Sequence, residues 1–227
     1  MKFTAVAFDL DGTLYPSFRM YSRLLPFFLK EHRLLRAMGK ARAILRKPSE
    51  NLSGHCGDFY EVQARLMAET LGEPPEKVRQ RTEKLIYRGW EPIFKKIRLF
   101  PHVRETLDAF REKGIKLGLL SDFPPDIKLK YMKLSHYWDV SLCSEVIGRL
   151  KPDPLSFLET ARKLDTPPQQ ILYVGNKAAY DAAGARKAGM KAALILPRWN
   201  KLSAPSKRDI ADFVFYDYRQ LRNYVLG

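Results

Sequence analysis

The sequence is poor in cysteine and has no long apolar run. It holds two cysteines in 227 residues, Cys56 and Cys143, and their spacing matches no metal-binding pattern. No stretch reaches the roughly 18 consecutive apolar residues that a membrane-spanning helix needs. The first apolar run is short, ends in acid at Asp9 and carries no signal-peptide cleavage pattern. These absences argue against a disulfide scaffold and an integral membrane protein, so we expect a reduced, cytoplasmic protein.

Acidic residues are also scarce in one segment. Between Arg19 and Lys47 the chain has nine Lys or Arg residues and one acid, Glu31, within a net charge of +15. Such a segment attracts an anionic substrate, nucleic acid or a membrane surface, or it is an ordinary solvated helix face. We favour the substrate or the solvated face, and leave nucleic acid or an anionic membrane surface as less favoured partners.

Apolar strand patterns alternate with helical patterns along much of the chain. The strand patterns cover residues 3–8, 115–120, 140–147, 171–174, 192–196 and 212–215. Strands that alternate with helices indicate an α/β fold, in which a parallel sheet is covered by helices on both faces.

One long segment interrupts this alternation. Residues 16–98 show helical spacing, with a loop pattern over 48–58 and helix patterns over 20–47, 59–71 and 75–90. An inserted helical domain explains such a segment better than a structureless loop of this length. We therefore predict a core of residues 1–15 and 99–227 and a helical cap of residues 16–98.

Polar residues follow several of the predicted strands directly. They are Asp9 and Asp11, Ser121 and Asp122, Lys151, and Asn176 with Asp181. Open α/β sheets bind ligands at the carboxyl edge of their strands, so these groups are expected to converge there.

The chemistry of this set suits phosphoryl transfer. A carboxylate such as Asp9 can attack phosphorus and form an aspartyl-phosphate, with Mg²⁺ between the two anions. Asp11 is placed to protonate the leaving oxygen and later to activate water. Ser121 and the amides after it are candidates for holding phosphate oxygens, and Lys151 for neutralising the charge that develops on them.

The same residues form four motifs, in order, that resemble those of the haloacid dehalogenase superfamily. The motifs are Asp9-Leu10-Asp11-Gly12-Thr13-Leu14, Leu119-Leu120-Ser121-Asp122, Lys151-Pro152-Asp153-Pro154, and Tyr173-Val174-Gly175-Asn176 with Asp181. The match spans residues 3–15 and about 100–197, which is the whole chain except the helical insertion and the tail.

The resemblance implies a Rossmann-like core with an all-helical cap inserted after the first motif. It implies an Mg²⁺-dependent phosphatase acting on a small phosphorylated metabolite, because the dehalogenase branch lacks the second aspartate. The implied site residues are Asp9 and Asp11 as catalytic groups, Ser121, Asp122 and Lys151 for phosphate, and Asp9, Asp11, Asn176 and Asp181 for the metal. In the family, the position of Asp11 contributes its backbone carbonyl to Mg²⁺.

One position departs from the family pattern. Asn176 stands where the family usually has an acid that binds Mg²⁺ directly, so we expect weaker metal binding, with Asp181 as a possible substitute ligand. Two alternatives stay open: a catalytically weakened protein that binds nucleic acid, anionic lipid or an acidic partner through its basic cap, and a phosphomutase. We expect a monomer or a weak dimer.

Overall fold

The computed structural model describes residues 2–47, 58–196 and 211–227. Within these ranges six parallel strands form one sheet in the order β3-β2-β1-β4-β5-β6. The strands are β1 (Ala5–Phe8), β2 (Lys116–Ser121), β3 (Val140–Cys143), β4 (Ile171–Gly175), β5 (Lys191–Ile195) and β6 (Phe213–Phe215). The chain leaves β1 in one direction and later returns to its other side, so a topological switch point lies between β1 and β4.

The central strand β1 shows why the sheet is buried on both faces. Its four residues, Ala-Val-Ala-Phe, are all buried, as is typical of a strand inside a parallel sheet. Val6 and Phe8 belong to one apolar cluster, and Ala5 and Ala7 belong to another. This alternation follows from side chains pointing to opposite faces at successive positions of a strand.

Helices cover the two faces. One face packs against α6 (Val103–Glu112) and α11 (Tyr218–Leu226), and the other against α9 (Pro154–Lys163) and α10 (Ala183–Lys187). Two shorter helices, α7 (Asp126–Tyr131) and α8 (Ser144–Ile147), follow β2 and β3. The predicted α/β, Rossmann-like core is confirmed.

Between β1 and α6 the described residues form helices and turns. The inserted helices are α1 (Ser17–Lys30), α2 (His32–Leu45), α3 (Phe59–Leu71), α4 (Pro75–Thr82) and α5 (Glu91–Phe94). The chain passes from α4 into a π-helical turn, Glu83–Tyr87. No helix within the described ranges is long and apolar enough to cross a membrane.

The inserted helices have an apolar cluster of their own. Ala37 and Met38 of α2 meet Val62 and Met67 of α3 in it, all buried. Leu150, from the turn after α8, also belongs to this cluster. The inserted helices thus bury a separate core that touches the sheet domain next to Lys151. The exact division into residues 1–15 and 99–227 against 16–98 stays a prediction.

Three details differ from the sequence expectations. The helical pattern over 20–47 forms two helices, because the backbone of Glu31 leaves helical geometry between them. The strand expected over 140–147 ends at Cys143, and its second half forms α8. The C-terminal helix α11 was not predicted. The loop expected over 48–58, and with it Cys56, lies almost wholly outside the described residues.

Candidate active site

The sheet brings most of the predicted residues to one edge. Asp9 and Asp11 follow β1, Asp122 follows β2, and Asn176 follows β4, all at the carboxyl ends of their strands. A cavity of about 1160 Å³ opens there, lined by these residues, by Lys151 and Asp181, and by side chains of the inserted helices. The convergence expected from the parallel sheet is therefore present in the structure.

Lys151 is the centre of the buried charge network. Its Nζ lies 2.6 Å from Asp9 Oδ1 and 2.7 Å from Asp181 Oδ1, and it also donates to the hydroxyl of Tyr173 at 3.3 Å. Burial lowers the pKa of Lys151, but Asp181 and Asp9 outweigh it and hold that pKa well above its usual value. The ammonium is therefore a permanent cation beside the Asp9 carboxylate.

Asp9 has a partner on each carboxylate oxygen. Lys151 donates to Oδ1, and the Thr13 hydroxyl donates to Oδ2 at 2.8 Å. Burial raises the pKa of Asp9 to about 7; Lys151 opposes this shift, whereas Asp181 and Asp11 add to it. Burial and the two neighbouring carboxylates thus favour an additional cation beside Asp9.

Asp11 is held by two residues that the sequence motifs do not identify. Lys128 Nζ lies 2.6 Å from Asp11 Oδ2, and the Tyr15 hydroxyl donates to Asp11 Oδ1. Lys128 is itself buried, with its ammonium 5.0 Å from the centroid of the Phe94 ring. The only sequence signal for Lys128 is its position on the short helix after the second motif. This signal is weak, because a lysine on a helix is ordinarily exposed.

Ser121 and Asp122 end β2 in different surroundings. The Ser121 hydroxyl is fully buried and accepts the N–H of Phe123 at 3.3 Å. The Asp122 carboxylate accepts from Arg46 Nη2 at 2.7 Å and from the Lys151 N–H at 3.2 Å. Burial would raise the pKa of Asp122, yet Lys151, Arg42 and Arg46 together hold it below its usual value. The Asp122 side chain therefore contacts both Arg46 and the backbone of Lys151, and its role towards phosphate stays a prediction.

Asn176 directly follows β4, and Asp181 lies in the helical turn Ala178–Ala182 that comes next. Asp181 Oδ2 accepts the N–H groups of Asn176 and Lys177 at 3.0 and 2.9 Å, so both Asp181 oxygens have protein partners. The Asn176 amide packs against Gly12, whose φ is +94°. A side chain at position 12 would be strained at this φ, and its Cβ would collide with the Asn176 amide. Asn176 Oδ1 is buried and has no hydrogen-bond partner among the described residues.

These donors fit an Mg²⁺ ion, which prefers oxygen ligands and keeps several waters. No group of three His, Cys, Asp or Glu side chains that could hold a metal occurs in the described part of the chain. A metal here would thus rely on Asp9, the backbone carbonyl of Asp11 and the amide of Asn176, whose orphaned buried oxygen is available for it. Asp181 lines the same cavity; its Oδ1 accepts from Lys151 and its Oδ2 accepts two backbone N–H groups.

Two side chains of the inserted helices also reach the sheet edge. Arg42 of α2 pairs with Glu145 of α8 and lies 4.2 Å from the centroid of the Phe123 ring. Burial raises the pKa of Glu145 to about 6, against the opposing effect of Arg42. Arg46 contacts Asp122. Sequence reasoning saw these arginines only as part of a basic segment and did not identify Glu145.

The fold is a doubly wound α/β sheet with a buried aspartate–lysine pair beside the switch point. Residues 3–189 match the family model described as haloacid dehalogenase-like hydrolase. The chain belongs to this family, which confirms the resemblance seen in the four motifs.

Curated relatives and solved structures agree with this assignment. The chain is 28% identical to a glyceraldehyde 3-phosphate phosphatase of Methanopyrus kandleri, over 97% of this chain and 96% of the relative. It is 29% identical to a phosphoglycolate phosphatase of Nitrosospira multiformis, over 82% and 79%. A 2-haloacid dehalogenase structure from Pseudomonas syringae superposes with a TM-score of 0.66 at 24% identity, over 98% of both chains. The fold is thus common to both branches, and the phosphatase names of the relatives support the phosphatase branch.

Proposed function

We propose that this protein is an Mg²⁺-dependent phosphatase that hydrolyses a small phosphorylated metabolite through an aspartyl-phosphate on Asp9. The observation that carries the proposal is the placement of Asp9 against the buried Lys151 ammonium, at 2.6 Å, on the floor of the cavity. Asp11, two residues on, lines the same cavity. This second aspartate favours phosphatase over dehalogenase chemistry.

The proposed reaction has two displacements at phosphorus. An Asp9 oxygen forms a bond to phosphorus while the bond to the leaving oxygen breaks, and Asp11 gives that oxygen a proton. Asp11 then takes a proton from water as the water oxygen attacks phosphorus, which releases inorganic phosphate and restores Asp9. Lys151 neutralises the charge on Asp9 and on the phosphoryl oxygens in both steps.

Asp9, the Asp11 carbonyl and Asn176 would hold the Mg²⁺. When bound, it supplies positive charge that offsets the repulsion between Asp9 and the phosphate. Because Asn176 brings no charge, we expect a weaker metal site than one with a third carboxylate. We assign Asp181 to orienting Lys151 and the backbone after β4.

We propose that residues 16–98 act as a cap that selects the substrate and excludes water. The cavity lies between the sheet edge and these helices, and its volume of about 1160 Å³ is slightly above the roughly 300–1,000 Å³ of common small-molecule sites. The relatives named above act on small phosphomonoesters, which supports a substrate of that class. We expect a monomer or a weak dimer that works in the cytoplasm.

The proposal is tested with Asp9→Asn on a panel of phosphomonoesters with Mg²⁺. We expect wild-type turnover and a loss of roughly 10³-fold or more in the variant, since the nucleophile is removed. Asp165→Asn is the matched control, because it removes the same charge at an exposed turn far from the cavity. Equal turnover by Asp9→Asn and wild type would remove Asp9 from the reaction.

The same panel separates a phosphatase from a phosphomutase. A phosphatase releases inorganic phosphate in step with substrate loss. A mutase returns an isomeric phosphoester and releases little phosphate. The assay follows both products by phosphorus NMR.

A second candidate function rests on the basic segment. Of its nine basic residues, Arg42 and Arg46 are engaged with Asp122 and Glu145. Six stay exposed on α1, α2 and the residues around them: Arg23, Lys30, Arg33, Arg36, Lys40 and Lys47. A weakened enzyme that binds an anionic surface through these residues would retain nucleic acid or anionic vesicles in a salt-sensitive way, without turnover of phosphoesters.

A further inference from the structure

Arg46 joins the end of α2 to the sheet edge. It is the first residue after α2, and its side chain is 19% exposed. Its Nη2 donates to Asp122 Oδ2 at 2.7 Å, and its Nε donates to the backbone carbonyl of Lys151 at 3.0 Å. The guanidinium carbon also lies 4.7 Å from the centroid of the Tyr180 ring. The side chain that follows α2 thus contacts three segments of the core.

Each of these three segments carries a residue of the proposed active site or lies next to one. Asp122 follows Ser121 at the end of β2, Lys151 is the buried ammonium beside Asp9, and Tyr180 precedes Asp181. Asp122 also accepts the N–H of Lys151 through its second oxygen, at 3.2 Å. The backbone of Lys151 is therefore fixed on both sides, at its N–H by Asp122 and at its carbonyl by Arg46.

We infer that Arg46 is a positioning residue that couples the inserted helices to the placement of Lys151, an inference that rests on the proposed function. A lysine carries its ammonium on a flexible four-carbon stem. The Lys151 ammonium therefore reaches Asp9 reproducibly only if the Lys151 backbone is fixed. Arg46 supplies this fixation by donating both to the Asp122 carboxylate and to the backbone carbonyl of Lys151. Displacement of α2 therefore releases the turn that carries Lys151.

The neighbouring Arg42 provides the internal contrast. It pairs with Glu145 and lies 3.7 Å from Asp122, but it has no contact with the backbone of Lys151. The two arginines sit one helical turn apart and share an acid, yet only Arg46 reaches the turn that carries the ammonium. The planar fork of arginine is needed for this, because Nε and Nη2 serve two acceptors at once.

The experiment compares Arg46→Met, Arg46→Lys and Arg65→Met. Arg65 is an exposed arginine of α3 that does not line the cavity, and it serves as the matched control. We expect Arg46→Met to lower kcat about 100-fold, a loss that a misplacement of about 1 Å can cause, with KM changed less than about threefold. Arg46→Lys keeps the charge but not the fork, so it should recover only part of kcat. Arg65→Met should match wild type.

Hydrogen exchange provides the readout that does not depend on turnover. In Arg46→Met we expect faster exchange in a peptide that spans Arg149–Asp153, while peptides of β1 and of α6 keep their wild-type rates. A rise in KM at unchanged kcat would make Arg46 a substrate contact and overturn the inference. Wild-type kcat, or faster exchange across the whole chain, would overturn it as well.

The two proposals fail in distinguishable ways. Wild-type protein that turns over no phosphoester contradicts the proposed function, and the exchange of residues 149–153 then still decides whether Arg46 holds that turn. Normal turnover in Arg46→Met contradicts the role of Arg46 alone.

Discussion

The sheet edge and the inserted helices supply different parts of the same cavity. The sheet edge places Asp9, Lys151 and Asp181 in a buried network whose distances are all below 3 Å. The inserted helices contribute arginines, which reach that network from outside through Asp122 and Glu145. The residues proposed to react thus lie in the sheet domain, and side chains of the inserted helices contact their surroundings from outside.

The largest effect on the free energy of unfolding is expected for Lys151→Met, which removes the buried ammonium at the sheet edge. The change leaves Asp9 and Asp181 buried with no ammonium between them, and breaking a buried ion pair from one side costs about 3–5 kcal/mol. We expect a loss of that size in the free energy of unfolding at pH 8, measured by urea denaturation. Lys163→Met, at an exposed position on α9, is the control.

The sign of the pH effect in this variant is fixed by Asp9. Lys151 lowers the pKa of Asp9 against the effect of burial, so the folded variant without this ammonium binds the Asp9 proton more readily than the folded wild type. Lowering the pH towards 6 neutralises the buried carboxylate, so the deficit of Lys151→Met should shrink. A deficit that grows on acidification would contradict this account.

Met67→Ala tests whether the inserted helices are a separate unit. Met67 is fully buried in their own apolar cluster, and such a truncation costs about 2–5 kcal/mol. Hydrogen exchange should accelerate in α2, α3 and α4 while the amides of β1 and β4 stay protected. Uniform acceleration would show that the two regions unfold together and would contradict the division at residues 16–98.

Much of the sheet edge was predictable from the sequence, whereas its connection to the inserted helices was not. Asp9 and Asn176 each follow an apolar strand pattern directly, and parallel strands place such residues together at the carboxyl edge of the sheet. Lys128 and Glu145 carry no such signal, since a single charged residue on a helix is ordinarily exposed. Their roles depend on how α7 and α8 pack, which is a tertiary property.

The same reasoning explains the small errors in the elements. Residues 140–147 begin with a strand pattern, but Ser144 and Glu145 interrupt it, and α8 begins there with Glu145 paired to Arg42. The break between α1 and α2 at Glu31 has no proline or glycine to mark it. Arg81 of α4 fixes it instead, donating to Glu31 at 2.6 Å.

Asn176→Asp tests whether Asn176 is one of the Mg²⁺ ligands at the sheet edge. The change adds a carboxylate beside Asp9 and Asp11, and ligand charge strongly tunes the affinity of such sites for divalent cations. We expect Mg²⁺ to bind roughly ten- to thirtyfold more tightly, measured by calorimetry on protein without substrate. Asn223→Asp, at an exposed position on α11, is the control. Unchanged affinity would mean that Asn176 is not a ligand.

The smallest expected effect is the pH dependence of Mg²⁺ binding in wild type. Because burial raises the pKa of Asp9 to about 7, protons compete with the cation below that pH. Affinity should therefore rise about tenfold from pH 6 to pH 8, with proton release on binding near pH 7. Asp9→Asn should abolish this dependence, and a wild-type affinity that falls with pH would contradict the assignment.

The central claim, that Asp9 takes the phosphoryl group, has one direct measurement. A single turnover is quenched in acid within milliseconds, and peptides are examined by mass spectrometry for a phosphoryl adduct. We predict an adduct on Asp9 that decays as phosphate appears, persists longer in Asp11→Asn and is absent from Asp9→Asn. Full turnover with no adduct at any time, or an adduct on another residue, would contradict the account.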